Sequence, residues 1–181
     1  PLALALWWML DRNDASTEVL MAQTTTQERK TVILPDGSTV RINENSQLHY
    51  RQDAEARYVT LSGEAFFEVK HLAGKPFIIV SGDARTTVLG TSFNVRAYPD
   101  EARVEVSVST GKVQVEAVAA PQQKKVLTAG QAVAVQNEGL QLASAENVAA
   151  NASAWKNRQF RFDDTSVEEV VLTLERYFGV E

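Results

Sequence analysis

The chain has 181 residues, no cysteine, two histidines and a formal net charge of −5. This length suffices for one domain, or for one domain and a small second unit, since domains contain roughly 100–200 residues. The absence of cysteine excludes disulfides, thiolate metal sites and a thiol nucleophile, and two histidines are too few for a multi-histidine metal centre. The acidic balance, with no basic run longer than Lys124-Lys125, argues against nucleic-acid binding.

The N-terminal segment, residues 1–10, is apolar and uncharged, with Trp7 and Trp8 close to a polar boundary at Asp11. A membrane helix needs about 20 apolar residues, and tryptophan favours the membrane interface. We interpret residues 1–10 as the end of a transmembrane helix; a signal-peptide remnant and a buried core segment are the alternatives. The polar stretch 11–28 then predicts a linker.

Residues 29–142 show the pattern of an all-β, largely antiparallel domain, because apolar residues alternate and turn residues recur at short intervals. Segments 31–34 and 39–42 flank Pro35-Asp36-Gly37-Ser38, which predicts a hairpin. In segment 58–69 the alternation predicts that Phe67 and the residues in phase with it face the core. The predicted fold is an antiparallel β-sandwich or roll, followed by a small, incomplete α/β subdomain.

The C-terminal region contains that second unit. The alanine-rich segment 143–154 predicts a linker, and residues 155–181 begin a small α/β subdomain. A short strand is predicted over Gln159-Phe160-Arg161-Phe162. A helix follows, with Thr165 and Glu168 as a capping box. Its apolar stripe consists of Val167, Val170, Val171, Leu174 and Phe178.

The charged residues do not form a catalytic constellation. Glu64 and Glu68 share a strand face about 13 Å apart, which exceeds the spacing of a glycosidase pair. We therefore expect both to be solvated surface residues. His49 and His71 have no spaced partner and are also expected at the surface. The sequence thus predicts no metal, no cofactor and no conventional enzymatic activity.

Phe66 is unusual because it places a large apolar ring among polar neighbours on the outward face of its strand. Two interpretations are open. Either a second sheet covers the ring, or the ring belongs to a partner-binding surface. The solvent exposure of Phe66 discriminates between them.

Seven segments in order resemble the FecR family of membrane-bound anti-sigma regulators. They are Leu34–Val40, Asn43–Leu48, Val59–Val69, Pro76-Phe77, Leu89–Val95, Val108–Val115 and Leu127–Gln131. The closing stretch, residues 155–179, resembles the start of a secretin/TonB short N-terminal-like (STN-like) subdomain. Each motif alone is weak, and their order makes the resemblance specific.

The resemblance implies a role in cell-surface signalling. Family members place a sigma-binding domain in the cytoplasm and cross the inner membrane once, and their remaining part lies in the periplasm. That part contacts the N-terminal signalling domain of a TonB-dependent outer-membrane transporter and relays its signal to an extracytoplasmic-function sigma factor. Residues 11–181 are then expected in the periplasm.

The resemblance also suggests one self-cleavage reaction at Gly90-Thr91, the single Gly-Thr pair in the chain. Some family members are described as cleaving a Gly-Thr bond through attack of the threonine hydroxyl on the preceding carbonyl carbon. The alternative is a turn at the entry to a strand, in which Gly90 supplies an unusual backbone conformation.

We expect the transporter domain to dock by extending the sheet at the predicted edge strand, Gln159, Phe160, Arg161 and Phe162, with the helix face as an anchor. Phe66 is the candidate contact if the β-domain is the binding surface instead. The alternative function, from another class, is a structural or carbohydrate-binding β-domain outside the membrane. Exposed aromatic residues forming a flat platform would indicate that alternative.

Overall fold

The computed structural model describes residues 18–136, 139–141, 151, 152, 154–157, 159, 160, 162 and 166–178. The predicted membrane segment 1–10 lies outside these residues, as does most of the predicted linker 143–154. Among the described residues, no helix has both the length and the apolar character to cross a membrane. The described chain consists mainly of β-strands, in agreement with the predicted fold class.

Two sheets form the β-domain, and the long strand β5 belongs to both. The order across sheet A is β1 (Glu18–Gln23), β4 (Gln47–Gln52), β5 (Arg57–Glu68), β6 (Phe77–Ser81), β7 (Ala84–Val88), β10 (Lys112–Ala117) and β11 (Lys124–Thr128). The order across sheet B is β2 (Lys30–Ile33), β3 (Thr39–Ile42), β5, β8 (Ser92–Ala97), β9 (Val104–Thr110), β12 (Ala132–Gln136) and β13 (Gly139–Gln141). The strands pair antiparallel, except that β5 and β6 are parallel.

Gly63 marks the point at which β5 passes from one sheet to the other. Residues 57–62 pair in sheet A, whereas residues 63–68 pair in sheet B. The φ angle of Gly63 is +100°, and a Cβ atom there would lie 2.3 Å from the Ser46 hydroxyl oxygen. Both the backbone conformation and the close approach require glycine.

The core fills the space between the two sheets, and aromatic rings connect them. Phe67 of sheet B stacks on Phe93 at 5.2 Å between ring centroids and meets Phe77 of sheet A edge-on at 6.1 Å. Most other inward side chains of the two sheets are aliphatic and nearly inaccessible to water; Tyr50, Ser81 and Thr86 are exceptions. The prediction that Phe67 and the residues in phase with it face the core is confirmed.

The predicted hairpin at residues 35–38 is confirmed. Strands β2 and β3 pair antiparallel around it, and Gly37 has φ +81°. A second turn follows β9 at Gly111, where φ is +84°. It does not join paired strands, however, because β9 pairs in sheet B and β10 pairs in sheet A.

The predicted linker 11–28 is too long and needs correction. Residues 18–23 form β1, which pairs with β4 along its whole length. Ala22 and Thr24 are buried, and the Thr24 hydroxyl donates hydrogen bonds to the backbone oxygens of Asn43 and Ser46. The β-domain therefore begins no later than Glu18.

The C-terminal region contains two described helices, α1 (Ala154–Asn157) and α2 (Val167–Phe178). The helix predicted after Thr165 is confirmed by α2, whereas Thr165 itself is not described. The predicted strand at 159–162 is not observed at its described positions, because Gln159, Phe160 and Phe162 lie outside any strand. Arg161 is outside the described residues. The STN-like assignment of this region stays a prediction.

Candidate functional site

A row of outward-facing residues in sheet B is buried. Along this row the cross-strand neighbours are Phe66, Asn94, Ser107 and Ala132. Each is at most 5% exposed, although strand alternation places it opposite the core. Burial on both faces shows that another part of the protein covers sheet B here.

Glu64 lies at the centre of this surface, with 3% of its area exposed. One carboxylate oxygen, Oε1, accepts a hydrogen bond from Asn94 Nδ2 at 2.8 Å. The other, Oε2, accepts from Asn43 Nδ2 at 2.8 Å and Arg96 Nη1 at 3.2 Å. Burial raises the pKa of Glu64, although Arg96 and the two amide donors oppose that rise.

Arg96 connects Glu64 to a second acidic residue and to an aromatic ring. Its guanidinium group donates two hydrogen bonds to Glu101 and lies 4.9 Å from the centre of the Tyr98 ring. The Tyr98 hydroxyl donates to the Glu44 backbone oxygen at 2.9 Å. Burial raises the pKa of Tyr98 to about 12, and the negative charge of Glu64 adds to the rise. The charges around Glu64 therefore belong to one connected network.

The cover of this surface includes α1, which we call the strap (Ala154–Asn157). Trp155 is 4% exposed, and its indole Nε1–H donates to Asn94 Oδ1 at 3.2 Å. Arg29 donates to the Trp155 backbone oxygen at 3.2 Å and to Asn43 Oδ1 at 3.1 Å. Residues 126 positions apart in the chain are thereby joined. Hydrogen bonds therefore hold both the side chain and the backbone of Trp155 in the strap.

Phe66 is covered by the same segment. The Lys156 ammonium nitrogen lies 3.6 Å from the centre of the Phe66 ring, and the ring residue is 2% exposed. Burial lowers the pKa of Lys156, and the nearby charge of Arg41 lowers it further. Phe66 was a candidate partner contact on the assumption that its ring is exposed. The ring is buried under the strap, so a partner cannot reach it in this structure. The cover includes the chain's own C-terminal segment rather than a second sheet.

Glu64 was missed by the sequence interpretation, which placed it on the solvated face. That assignment is wrong for Glu64 and holds for Glu68, which is exposed. The strap alters the environment of Glu64. Because the strap lies far from Glu64 in the sequence, local alternation does not reveal this cover. One signal was available: small outward residues at Ser107, Ala132 and Ala134 leave room above the sheet.

A second buried charge cluster lies around Arg57, at the start of β5. Its guanidinium contacts Asp36 Oδ2 at 2.7 Å, and both side chains are fully buried. It also donates to three backbone oxygens, those of Lys70, Lys75 and Leu89. Arg57 thus holds the 35–38 turn against the loop before β6 and the turn before β8.

The Gly90-Thr91 pair lies in that last turn. A Cβ at Gly90 would lie 2.6 Å from His71 Cβ and 2.8 Å from His71 Cα. Close packing, rather than a positive φ angle, therefore requires glycine at this position. Thr91 is buried, and its hydroxyl donates to the Lys112 backbone oxygen at 2.9 Å. The hydroxyl is thus committed to a backbone acceptor in this conformation.

Two of the remaining predicted site residues, Phe160 and Phe162, lie near α2. The Phe160 ring packs 6.0 Å from Phe162 and 6.1 Å from Phe178, measured between ring centroids. Along the predicted apolar stripe, Val167, Val171 and Phe178 are exposed. Phe160, Phe162 and Phe178 therefore form one aromatic cluster, and three apolar residues of α2 keep large exposed areas.

The described residues contain no group of three or more His, Asp and Glu side chains arranged to hold a metal. A polar depression of about 430 Å³ lies beside Thr24 and Ser46, lined by uncharged residues. It offers no titratable group for acid–base catalysis. The charged clusters around Glu64 and Arg57 are both engaged in holding segments of the chain together.

Comparison with known proteins identifies the family. The family model described as FecR protein matches residues 21–114. No curated protein gives a match. Two crystal structures of a candidate anti-sigma factor from Parabacteroides distasonis ATCC 8503, at 1.65 and 2.50 Å resolution, are 33% identical to this chain. Their TM-scores are 0.69 and 0.68, and the matches cover 88% of this chain and 75% and 74% of theirs. The chain belongs to the FecR protein family of signalling regulators.

Proposed function

We propose that this chain is the periplasmic sensor part of a membrane-bound sigma regulator. It receives a signal from the N-terminal signalling domain of a TonB-dependent outer-membrane transporter. It passes that signal across the inner membrane to an extracytoplasmic-function sigma factor. Membership of the FecR family supports the signalling role, and the anti-sigma description of the similar structures supports the sigma-factor partner.

The observation that carries the transporter contact is the open apolar face of α2. Val167, Val171 and Phe178 are 79%, 44% and 63% exposed. An amphipathic helix normally buries such a face, so exposure of three large residues along one helix favours a protein partner. The β-domain has no comparable opening at Phe66, because the strap covers it.

Calorimetry with the signalling domain of a transporter encoded near this protein tests the contact. We expect Phe178→Asp and Val171→Asp each to weaken binding at least about tenfold, because a charge would enter an apolar contact. Val126→Asp is the matched control, since Val126 is 57% exposed on β11 in the β-domain. Its binding should equal that of the unaltered chain.

Two results would contradict the docking model. Equal loss of binding in all three variants would indicate a general defect rather than a contact at α2. Unchanged binding in the α2 variants would move the contact to the β-domain. Absence of binding, together with specific binding of an oligosaccharide, would favour the carbohydrate-binding alternative.

The proposal includes self-cleavage at Gly90-Thr91 as its one chemical step. The Thr91 hydroxyl would attack the Gly90 carbonyl carbon, its proton would pass to the departing amide nitrogen, and water would hydrolyse the resulting ester. The Gly-Thr pair of the family resemblance motivates this choice, and Gly111 lies beside the pair: a Cβ at Gly111 would lie 3.2 Å from both the Gly90 carbonyl oxygen and the Thr91 hydroxyl oxygen. The hydroxyl must first leave its hydrogen bond to the Lys112 backbone oxygen.

Mass spectrometry of the purified protein tests this step. Cleavage predicts two fragments whose boundary falls between Gly90 and Thr91, and a single intact mass for Thr91→Ala. Thr87→Ala, a threonine substitution on the neighbouring strand β7, is the control and should still yield both fragments. An intact mass for the unaltered chain after prolonged incubation would refute self-cleavage.

A further inference from the structure

The two faces of sheet B differ in chemistry although both are buried. The inward residues of its central strands are apolar: Ala65, Phe67, Phe93, Val95, Val106 and Val108. The buried outward residues are mixed: Glu64, Asn94 and Ser107 are polar, whereas Phe66, Ala132 and Ala134 are apolar. A permanently buried surface is normally apolar, since burying polar groups is unfavourable, whereas a surface that is uncovered at times must be compatible with water.

The described contacts that hold the strap against sheet B are a few polar, non-covalent contacts. They include one indole N–H to an amide oxygen, one guanidinium to a backbone oxygen, and one ammonium over an aromatic ring. Beneath them, burial raises the pKa of the Glu64 carboxyl group. Opening would return water to that carboxylate and offset part of the lost contacts.

Asn43 links the strap to β1, the first strand of the β-domain. Its side chain donates to Glu64 and accepts from Arg29, and these two residues lead to Trp155 by separate routes. Its backbone oxygen accepts from the Thr24 hydroxyl at 2.6 Å, directly after the end of β1. A short hydrogen-bonded path therefore runs from the C-terminal strap to the first strand.

Strand β1 is suited to respond to this path. It is an edge strand that pairs only with β4 among the described strands. Val19 and Met21 are exposed, so few apolar contacts hold it from outside. The hydrogen bonds of Thr24 fix the end of this strand, in addition to its pairing with β4 and the inward packing of Leu20 and Ala22.

We propose that the strap is a releasable clasp, and that its opening is transmitted through Asn43 to β1, so that a change at the C-terminal unit loosens the N-terminal strand. In the signalling role this rests on the proposed function, because a partner at α2 would act on the strap. The coupling itself is a property of this chain alone.

Amide hydrogen exchange, read by mass spectrometry, tests the coupling in the unaltered chain and in Trp155→Ala. We expect exchange of the β1 amides to accelerate at least about tenfold in Trp155→Ala, the scale of losing one buried hydrogen-bonded contact. Amides of β10 and β11, in the half of sheet A remote from β1, should keep their rates. In an Asn43→Ala background the same Trp155→Ala change should accelerate β1 by no more than about twofold.

Leu127→Ala is the matched control for general destabilisation, because Leu127 is 1% exposed in the core and lies on β11. Leu127→Ala should accelerate amide exchange in the β-domain generally, without a selective increase in β1. Equal acceleration of β1 in Leu127→Ala and Trp155→Ala, at matched loss of unfolding free energy, would overturn the proposal. So would an undiminished response in the Asn43→Ala background.

Trp155→Phe replaces Trp155→Ala if the alanine variant does not fold, since it keeps one aromatic ring while it removes the indole N–H and part of the ring system. The expected pattern is the same with a smaller amplitude, and no selective change at β1 would overturn the proposal. These exchange measurements contain no transporter. Failure of transporter binding would therefore refute the proposed function while leaving the clasp intact, and the reverse also holds.

Discussion

Substitution of Arg57 by methionine should destabilise the β-domain more than any surface change. Arg57 and Asp36 are both fully buried, and their side chains meet at 2.7 Å. Removing one partner of a buried ion pair costs about 3–5 kcal/mol, because the other charge remains in a medium of low polarity. The substitution also removes the donors for three backbone oxygens, which adds to the loss. We therefore expect the free energy of unfolding to fall by at least about 3 kcal/mol.

Urea unfolding followed by circular dichroism measures this loss. Arg51→Met is the matched control, since Arg51 is 46% exposed and its partner Asp53 is 33% exposed. Exposed pairs contribute about 0–1 kcal/mol, so the control should remain within that range. Adding Asp36→Asn to Arg57→Met should recover part of the loss, because no unpaired buried carboxylate remains. A loss below about 1 kcal/mol for Arg57→Met would refute the assigned role of this cluster.

Further substitutions test the sheet crossing, the buried carboxylate and the strap. Gly63→Ala should cost more in urea unfolding than Gly74→Ala, because both have positive φ angles but only Gly63 lacks space for a Cβ; equal costs would contradict this. Glu64→Gln removes a group whose raised pKa makes the native chain less stable as pH rises above the ordinary value of 4.5. The stability of Glu64→Gln relative to the native chain should therefore increase with pH, and a pH-independent difference would contradict the assignment. Trp155→Phe should lower the unfolding free energy by about 1–3 kcal/mol, because the Asn94 amide oxygen loses its buried donor; no measurable loss would contradict that contact.

Much of the β-domain was predictable because its signals are local. Proline and glycine at Pro35 and Gly37 fix a hairpin turn whatever lies around it, and the alternation through Val59 and Phe67 assigns the core face. Strand β1 was not recognised, because its four consecutive apolar residues, Val19–Ala22, lie within a segment that is otherwise polar and rich in Thr and Gln. Its inward pair, Leu20 and Ala22, is too short a pattern to separate a strand from a linker.

The candidate site was less predictable, because it depends on contacts between distant residues. Glu64 and Phe66 have the pattern of outward residues, and sheet alternation is correct about their direction. Their burial depends on Trp155 and Lys156, which follow an alanine-rich segment with no apolar stripe. A local pattern predicts which way a side chain points, and it does not predict what another segment places above it.

The double membership of β5 gives the two buried clusters different mechanical roles. Arg57 stands at the start of the strand in sheet A and binds the turns at residues 35–38 and 89–91 with a fully buried ion pair. Glu64 stands just beyond the crossing at Gly63, in sheet B, under a cover made partly of reversible contacts. Breaking the first cluster leaves a buried charge unpaired, whereas opening the second exposes polar groups to water. We therefore expect the Arg57 end of β5 to stay fixed when the proposed clasp opens, and the strap, Asn43 and β1 to move.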